Sequence, residues 1–322
     1  MPTALVTGAA GFIGSHLVAE LLENGSHVRG LDNCSSGSQT NLQAVSSHDR
    51  FTFIEGDIRD ESTVQRAMSG VERVFHLAAA TSVPGSFERP RKTTDINCTG
   101  TATLLETAGS EDIERFIFAS SAAVYGSDVP VPVAETASLN PESPYALSKR
   151  YGESLTRQVG DSAGFETVSL RFFNVYGPGQ DPSGAYAAVI PAFISRVRSG
   201  KPPVIYGDGE QTRDFVAVSD VVSALIRAGE RPVSASVINI GGGRRVTINE
   251  LAETLIEIVG RESSTGESES ASGVENLEPV YESAREGDIR HSQADIARAR
   301  ELLGYDPQVS LREGLTRTVV FT

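Results

Sequence analysis

The stretch Ala4-Leu5-Val6-Thr7-Gly8-Ala9-Ala10-Gly11-Phe12-Ile13-Gly14 decides the fold of this chain. A short apolar run typical of a buried strand leads into three regularly spaced glycines, and the amphipathic pattern Phe12–Glu23 follows. Gly8 permits a tight turn, Gly11 lets the backbone approach a ligand, and Gly14 lets the helix pack on the sheet. Because a helix N-terminus attracts anions, this turn predicts a pyrophosphate site.

The segment Tyr145-Ala146-Leu147-Ser148-Lys149 supplies a phenol and an ammonium group four residues apart. On a helix this spacing puts both groups on one face, one turn apart. A free phenol has a pKa of about 10, which is too high for a base at neutral pH, but a neighbouring cation stabilises the phenolate. Together with the glycine turn, the pair indicates a tyrosine that moves a proton beside a nicotinamide dinucleotide, at an alcohol carbon.

The first half of the chain alternates strand and helix patterns. Strands are predicted at Ala4–Val6, His27–Leu31, Phe51–Glu55, Arg73–Leu77, Arg115–Ala119 and Thr167–Phe172. Amphipathic helices are predicted between them, for example at Phe12–Glu23, Ser62–Met68 and Asn97–Ala108. This alternation predicts the α/β class, with a Rossmann-type doubly wound parallel sheet that binds ligands at the carboxyl ends of its strands.

The second half is less regular and is predicted to form a smaller C-terminal substrate-binding lobe. We expect residues 1–173 to form an NAD-binding domain and residues 174–322 to form mainly the lobe, with elements around 214–245 returning to the domain. Among the later segments we predict a returning strand at Ser236–Ile240, a helix at Thr247–Val259, a solvated loop at Arg261–Asn276 and a last helix at Gln293–Leu303.

Composition excludes several classes of function. The 322 residues carry a formal net charge of −14, which makes nucleic acid or an anionic membrane a poor partner. Cys34 and Cys98 are too few for a disulfide framework and lack the spacing of metal ligands, so no metal is expected. With no signal peptide or membrane span in the sequence, we expect a cytoplasmic protein. Only three basic residues are Lys, which fits either salt adaptation or an Arg-favouring genome.

Asp32 follows the second predicted strand, 18 residues after Gly14. A carboxylate at this position accepts hydrogen bonds from the adenosine ribose diol and repels a 2′-phosphate, which favours NAD over NADP. The alternative is an aspartate that only caps a turn.

The motifs together resemble the extended short-chain dehydrogenase/reductase family, and in particular its nucleotide-sugar epimerases. The resemblance rests on motifs that occur in the family's order along nearly the whole chain. They are Gly8–Gly14, Asp57–Asp60, His76–Ala79, Ser120–Gly126, Tyr145–Lys149, Arg171–Pro178, Gly207–Phe215, Gly287–Ser292, and Ala294-Asp295 through Tyr305.

The resemblance implies catalytic roles for Tyr145, Lys149 and Ser121, and NAD as the cofactor. It places NAD against Gly8, Gly11, Phe12, Ile13, Gly14, Asp32, Asn33, Asp57, Ile58, Ala78, Ala79, Ala80, Asn97, Tyr145 and Lys149. It places a UDP-sugar substrate against Ser82, Ser121, Asn174, Ala188, Val189, Tyr206, Arg213, Arg285 and Ser292. Among these, the two arginines would hold the pyrophosphate and Tyr206 would stack on uracil.

The reaction implied is 4-epimerisation of UDP-glucose and UDP-galactose. Related 4,6-dehydratases carry an Asp-Glu pair directly after the residue that matches Ser121, whereas this chain has Ala122 and Ala123, which cannot move protons. Ser292 matches a position where a small residue leaves room for a C2 N-acetyl group, and Gln180–Pro191 resembles UDP-N-acetylglucosamine 4-epimerases. Members of the family also form homodimers through helices such as Asn97–Ala108 and Pro144–Val159.

Three alternatives stay open at this point. A UDP-glucuronate 4-epimerase fits, since no residue excludes a C6 carboxylate. A dehydratase or 4-ketosugar reductase would use the same tyrosine and lysine, but Asp32 disfavours the NADPH that such reductases use. The third alternative is a regulator that senses dinucleotides without catalysis, and the intact tyrosine–lysine pair argues against it.

Overall fold

A seven-stranded parallel sheet organises the molecule. The structure is a computed structural model that describes residues 2–181, 188–265, 274–285 and 287–321. The strands of this sheet are β1 Thr3–Thr7, β2 His27–Asp32, β3 Phe51–Glu55, β4 Arg73–His76, β5 Arg115–Ser121, β6 Glu166–Phe172 and β11 Ser236–Ile240. Their order is β11-β6-β5-β4-β1-β2-β3, so the strand order reverses between β1 and β4, where doubly wound sheets bind ligands. The predicted α/β Rossmann-type fold is confirmed.

Helices cover both faces of the sheet and form part of the second half. They are α1 Phe12–Glu23, α2 Glu61–Met68, α3 Val83–Glu88, α4 Pro90–Thr94, α5 Gly100–Ala108, α6 Pro144–Ala163, α7 Val189–Arg198, α8 Val218–Glu230, α9 Ile248–Thr265, α10 Ala297–Leu303 and α11 Leu311–Phe321. The short strands of the second half are β7 Asn174–Tyr176, β8 Val204–Tyr206, β9 Thr212–Arg213, β10 Phe215–Ala217, β12 Val246–Thr247 and β13 Val280–Glu282. None of the helices in the described ranges is long and apolar enough to cross a membrane.

Successive side chains of each strand point to opposite faces of the sheet, so the sheet has two hydrophobic cores, one on each face. In β1, Ala4 and Val6 are buried in the cluster under α1 and α8, while Leu5 is buried in the cluster under α2 and α5. A third buried cluster joins α7, α9 and α11 in the second half. Helices α8 and α10 lie on the sheet with the first half, and the division at residue 173 stays a prediction.

The predicted returning strand Ser236–Ile240 is confirmed, since β11 pairs in parallel with β6. Two other expectations are wrong. The predicted loop Arg261–Asn276 begins with helix, because α9 continues to Thr265; residues 266–273 lie outside the described residues. The predicted helix Gln293–Leu303 starts only at Ala297, because residues 293–295 pair with Val133 in a parallel β-bridge: the Gln293 oxygen accepts from the Val133 N–H (2.8 Å), and the Asp295 N–H donates to the Val133 oxygen (2.9 Å).

The contact between α1 and β1 depends on Gly14. A Cβ atom at this position would lie 2.0 Å from the Gly8 carbonyl oxygen, so any side chain would push the helix off the turn. The close approach fixes where the N-terminus of α1 points.

We therefore expect Gly14→Ala to lower the free energy of unfolding by about 3 kcal/mol or more, because the added methyl group meets backbone that cannot move away. Urea denaturation would measure it. Gly109→Ala is the matched control: Gly109 has φ −70° and its nearest atom would be 3.5 Å from the new Cβ, so the change should be below about 1 kcal/mol. Equal effects of the two substitutions would contradict this account of the turn.

Candidate active site

The predicted cofactor residues lie at the carboxyl edge of the sheet. The β1–α1 turn carries Gly8, Gly11, Phe12, Ile13 and Gly14; the ends of β2 and β3 carry Asp32, Asn33, Asp57 and Ile58; and the loop after β4 carries Ala78, Ala79 and Ala80. The sequence separates these segments by tens of residues, and the parallel register brings them to one edge.

The glycine turn has the form of an anion cradle. Gly8 has φ +72°, and a Cβ there would lie 2.7 Å from the Ala78 nitrogen, so only glycine lets the turn after β1 touch the loop after β4. Helix α1 begins after Gly11 with no side-chain cap and no acidic residue in its first turn. Its first backbone N–H groups are thus left for an anion, and the residues present fit the pyrophosphate of a dinucleotide.

The Asp32 carboxylate is held at the end of β2 by backbone donors. Oδ2 accepts from the N–H of Ala10 (2.9 Å) and Oδ1 accepts from that of Cys34 (2.8 Å). Each oxygen keeps a further lone pair, so the fixed carboxylate can accept from a ribose diol. This geometry supports the preference for NAD that the sequence indicated.

Asp57 lies in a polar cluster next to this position. Arg59 donates to both of its carboxylate oxygens (2.9 and 2.8 Å), and Asn33 donates to Oδ2 (2.8 Å). The hydrogen bonds from Arg59 hold the pKa of Asp57 well below its usual range. Arg59 also pairs with Asp95, which joins the loop after β3 to the segment before α5.

Asn97 fastens the loop after β4 to helix α6. It lies in a π-helical turn, Asp95–Thr99, a deviation frequent at functional sites. Its Oδ1 accepts from the N–H of Ala80 (2.7 Å), and its Nδ2 donates to the Ala80 oxygen (3.0 Å) and to Ser148 Oγ (2.9 Å). The predicted helix Asn97–Ala108 therefore starts with a π-turn that aims this side chain inward.

His76 forms a buried hydrogen-bonded chain that the sequence analysis did not assign. The single hydrogen of the Thr101 hydroxyl goes to the Asn97 carbonyl oxygen, so this hydroxyl accepts from His76 Nε2 (2.8 Å). Nδ1 of the neutral ring is then the acceptor, and the Thr7 hydroxyl donates to it (2.8 Å). Burial, and then the charge of Lys149, lower the pKa of His76 to about 3, so the neutral ring links β1, β4 and α5.

Tyr145 and Ser121 are brought together between the start of α6 and the end of β5. The Ser121 hydroxyl lies beside the phenol of Tyr145, and Ser121 Oγ accepts from the N–H of Ala123 (3.2 Å). Burial raises the pKa of Tyr145, and the neighbouring Ser121 hydroxyl opposes this rise. In the free protein the side chain is therefore a neutral phenol.

Lys149 lies one turn further along α6 and is 5% exposed. Its Nζ donates to the Ala119 oxygen (2.8 Å) and lies 5.9 Å from the Tyr145 ring centroid. Burial lowers the pKa of Lys149 to about 8, against the opposing charges of Glu153 and Cys98. Near physiological pH, Lys149 can therefore exist as a cation or as a neutral amine beside the phenol.

A buried ion pair continues the same face of α6. Arg171 on β6 donates to both oxygens of Glu153 (2.8 and 2.7 Å), and Ser120 also donates to this carboxylate. Arg171 donates further to the Tyr125 hydroxyl (2.8 Å), which donates to Asn239 on β11 (2.7 Å). Every partner is hydrogen-bonded, so α6 is fixed relative to three strands.

A cavity of about 250 Å³ lies between β7, α7, β8 and β9. It is lined by six of the predicted substrate residues: Asn174, Ala188, Val189, Tyr206, Arg213 and Arg285. These residues span more than a hundred positions in the sequence, and the tertiary structure gathers them.

The two arginines of the cavity have internal partners. Arg213 pairs with Asp288 and donates to the Thr212 oxygen (2.9 Å), and burial lowers its pKa. The guanidinium carbon of Arg285 lies 3.8 Å from the centroid of the Tyr206 ring, which it covers. Both guanidinium groups are therefore held at the cavity wall, facing the same space.

The other predicted substrate residues lie outside this cavity. Ser121 is beside Tyr145, and the exposed Ser82 caps α3 by accepting from the Gly85 N–H (3.0 Å). Ser292 donates its N–H to the Thr212 oxygen (3.1 Å), next to Arg213. Residues 182–187 of the segment compared with N-acetylglucosamine epimerases lie outside the described residues.

The cavity also contains residues that the sequence analysis missed: Phe193, Gln180, Gln211 and Asp288. The amide oxygens Oε1 of Gln180 and Gln211 are buried and have no hydrogen-bond partner among the described residues. Gln211 lies two positions before Arg213, inside a motif whose intervening positions were left unassigned, and that position was the available signal.

The burial of Lys149 lowers the free energy of unfolding by an amount that depends on pH. Its folded pKa of about 8 lies below the ordinary 10.5, so between these values the unfolded chain binds a proton that the folded chain does not. The penalty is therefore fully present below about pH 8 and is relieved as the pH rises towards 10.5.

We expect Lys149→Met to stabilise the free protein at about pH 7 by up to about 3 kcal/mol, and by less at about pH 10. Urea denaturation of both proteins at both pH values would measure the difference. The exposed Lys201→Met is the control, with an effect within about 0.5 kcal/mol at either pH. A stabilisation by Lys149→Met that is the same at both pH values would contradict the assigned cause.

Comparison with known proteins places the chain in a family. The sequence model of the family described as GDP-mannose 4,6 dehydratase matches residues 5–318. The solved UDP-glucose 4-epimerase of Thermotoga maritima, with UDP-glucose, is 40% identical, with a TM-score of 0.90 and coverage of 99% of this chain and 98% of that one. A UDP-N-acetylglucosamine 4-epimerase of Methanobrevibacter ruminantium, in complex with UDP-N-acetylmuramic acid, is 38% identical, with a TM-score of 0.90 and coverage of 99% and 97%.

A third structure carries the cofactor. The UDP-glucuronic acid 4-epimerase of Bacillus cereus, in complex with UDP-glucuronic acid and NAD, is 32% identical, with a TM-score of 0.87 and coverage of 99% of this chain and 98% of that one. The sequence match, the fold and the geometry of the site agree: this chain belongs to the extended short-chain dehydrogenase/reductase family of enzymes that act on nucleotide sugars.

Proposed function

We propose that the protein is an NAD-dependent UDP-sugar 4-epimerase. The observation that carries the proposal is the placement of Tyr145 and Ser121 side by side, with Lys149 one turn further along α6 and with Ala122 and Ala123 directly after Ser121. The pair supplies a group that moves one proton at a sugar hydroxyl. The two alanines supply no acid or base for loss of water, which argues against a dehydratase despite the name of the matching family.

Tyr145 takes the proton of the sugar C4 hydroxyl and later returns it, and Ser121 orients that hydroxyl by a hydrogen bond. NAD, when bound at the glycine turn, would supply hydride transfer at C4 in both directions, so no external reductant would be consumed. Lys149 lowers the pKa of the phenol when it is protonated, and its ammonium group would donate to the ribose of the nicotinamide. Inversion at C4 then requires that the 4-keto sugar present its other face.

Inversion requires a nucleotide that stays bound while the sugar turns. Arg213 and Arg285 provide the firm contacts, because guanidinium groups match phosphate oxygens with paired hydrogen bonds. Tyr206 provides a flat ring for the base, and Ala188 and Val189 provide backbone contacts. The sugar itself would meet few strong contacts beyond Asn174, Ser82 and Ser121.

Sugar choice is proposed to include UDP-glucose, UDP-galactose and the N-acetylated pair, since the small side chain of Ser292 leaves room at C2. The second candidate is a UDP-glucuronate 4-epimerase, since the Bacillus cereus relative carries that name and none of the proposed substrate residues is acidic, so none excludes a C6 carboxylate.

The test is incubation of the purified protein, at low and high salt, with UDP-glucose, UDP-N-acetylglucosamine or UDP-glucuronate, without and then with added NAD. Proton NMR would resolve the products. We expect the C4 epimer without net formation of NADH, and the relative rates would rank the sugars. A 4-keto-6-deoxy product, or reduction that depends on NADPH, would refute the epimerase assignment.

We expect Tyr145→Phe to lower turnover by about a thousandfold or more, because general acid–base catalysis at this position is lost. NAD affinity, measured by calorimetry, should stay within about twofold, since the phenol oxygen is not needed to hold the dinucleotide. Phe321→Tyr, at the exposed end of α11, is a control for substitution between these two residue types. Substantial residual turnover of Tyr145→Phe would sink the assignment.

We further propose that two copies associate through α6, one of the two helices expected from the sequence, together with α3. The other expected helix, Asn97–Ala108, has mostly buried residues and is replaced by α3 in this proposal. Helix α3 packs against α6. The two helices expose four large apolar side chains, namely Val83, Phe87, Leu147 and Tyr151. Exposed apolar side chains that are grouped in this way are typical of a protein–protein interface. Leu147 and Tyr151 lie one turn apart on the α6 face opposite to Tyr145, so a second copy can cover them without blocking the site.

Leu147→Asp should convert the dimer to a monomer, because a carboxylate in an apolar interface is desolvated without a partner. Light scattering after size exclusion would measure the mass. Val320→Asp, on the equally exposed surface of α11, should leave the dimer intact. A monomeric wild-type protein, or a dimer unaffected by Leu147→Asp, would refute this interface.

A cytoplasmic location is proposed as well. Both cysteines, Cys34 and Cys98, are free thiols, which is usual for proteins kept in a reducing compartment.

A further inference from the structure

Asp214 is a fully buried carboxylate next to the cavity. It directly follows Arg213 and has no exposed surface. The sequence analysis saw it only as part of a motif, and the proposed chemistry does not use it. A buried carboxylate is costly unless its oxygens are hydrogen-bonded, so its partners indicate its role.

The partners are backbone N–H groups from two distant segments. Oδ1 accepts from Gly242 (2.6 Å), and Oδ2 accepts from Gly243 (3.1 Å) and Ala294 (2.8 Å). Gly241–Gly243 form the turn after β11, and a Cβ at Gly241 would lie 2.9 Å from Asp214 Oδ2, so this turn closes tightly on the carboxylate.

These N–H donors are all satisfied only by a side chain that accepts hydrogen bonds at both of its terminal atoms. A carboxylate accepts at each oxygen, whereas an amide would turn an NH₂ group towards one set of N–H donors. The site therefore selects aspartate over the isosteric asparagine.

Three proposed substrate-binding segments meet at this residue. Arg213 precedes it in the chain. Asn174 donates its N–H to the Asp214 carbonyl oxygen (3.0 Å), and Ser292 lies two residues before Ala294. The turn after β11 belongs to the main sheet, so the carboxylate joins these three segments to the sheet that carries the cofactor site.

We propose that Asp214 is a positioning residue for the nucleotide diphosphate: its carboxylate sets Asn174, Arg213 and the Ser292 segment relative to the carboxyl edge of the sheet. The inference rests on the proposed function, because that function identifies the cavity as the UDP site. It adds a role that no substrate contact fulfils: holding the substrate-binding segments in a fixed position relative to the cofactor site.

Asp220 offers a matched control. It is also a buried carboxylate, and it accepts from the N–H groups of Gln308 (3.0 Å) and Val309 (3.2 Å). These bonds hold the segment before α11, and none of these three residues lines the cavity. Asp220→Asn therefore makes the same chemical change in a comparable environment without touching the substrate segments.

The experiment is calorimetric titration of the wild-type protein, Asp214→Asn and Asp220→Asn with UDP and, separately, with NAD. We expect Asp214→Asn to weaken UDP binding about tenfold or more, since buried donors lose their acceptor and Arg213 shifts. NAD binding should change by less than about twofold, and Asp220→Asn should leave UDP binding within about twofold, because the sites are independent. In turnover with UDP-glucose, Asp214→Asn should raise KM more than it lowers kcat.

Equal UDP affinity of Asp214→Asn and wild type, or an equal loss in Asp220→Asn, would overturn the inference. Failure of the wild-type protein itself to bind UDP would instead refute the proposed function. Should Asp214→Asn not fold, lactate in place of Ala294 removes a single N–H donor without changing the side chain. That ester should weaken UDP binding selectively against NAD, and an unchanged UDP affinity would overturn the inference.

Discussion

The buried ion pair between Glu153 and Arg171 is the interaction on which the site depends. It ties α6, which carries Tyr145 and Lys149, to β6, and through Tyr125 it reaches Asn239 on β11. A buried pair adds little to stability by itself, because desolvation offsets the attraction. Its fully hydrogen-bonded geometry instead fixes the rotation of α6, so the phenol and the ammonium group face the end of β5.

Buried charge recurs around this site. The pKa of Lys149 is lowered to about 8, and burial raises the pKa of Asp214 to about 6 against its backbone donors. Both shifts arise because the fold buries these groups, and the protein interior solvates their charged forms less well than water does. Such placement is typical of residues kept for chemistry or positioning, since stability alone would favour apolar replacements.

The two halves of the site are organised in different ways. The cofactor half is built on backbone geometry: a glycine turn, strand ends, and the Asn97 and His76 hydrogen bonds that join neighbouring loops. The substrate half depends on contacts between side chains: Arg213 forms an ion pair with Asp288, and the Arg285 guanidinium lies over the Tyr206 ring. Asp214 lies where the halves meet, because its carboxylate takes donors from the sheet and from the segment after Ser292.

The sequence by itself determined the local chemistry. The glycine turn, Asp32, and the four-residue spacing of Tyr145 and Lys149 follow from short-range rules of turns and helices, so these predictions needed no tertiary information. Alternating strands and helices likewise set the parallel sheet, and with it the edge where loops after different strands meet. Ala122 and Ala123 already argued against loss of water.

Tertiary structure alone decided which distant groups meet. Nothing local to Asp214, Glu153 or His76 shows their partners, because those partners lie on segments tens of residues away. The helix expected from Gln293 fails for the same reason, since the backbone of residues 293–295 pairs with the distant Val133 in an extended bridge. Apolar periodicity reports how a segment buries its side chains, whereas a long-range polar bond depends on the packing of the whole chain.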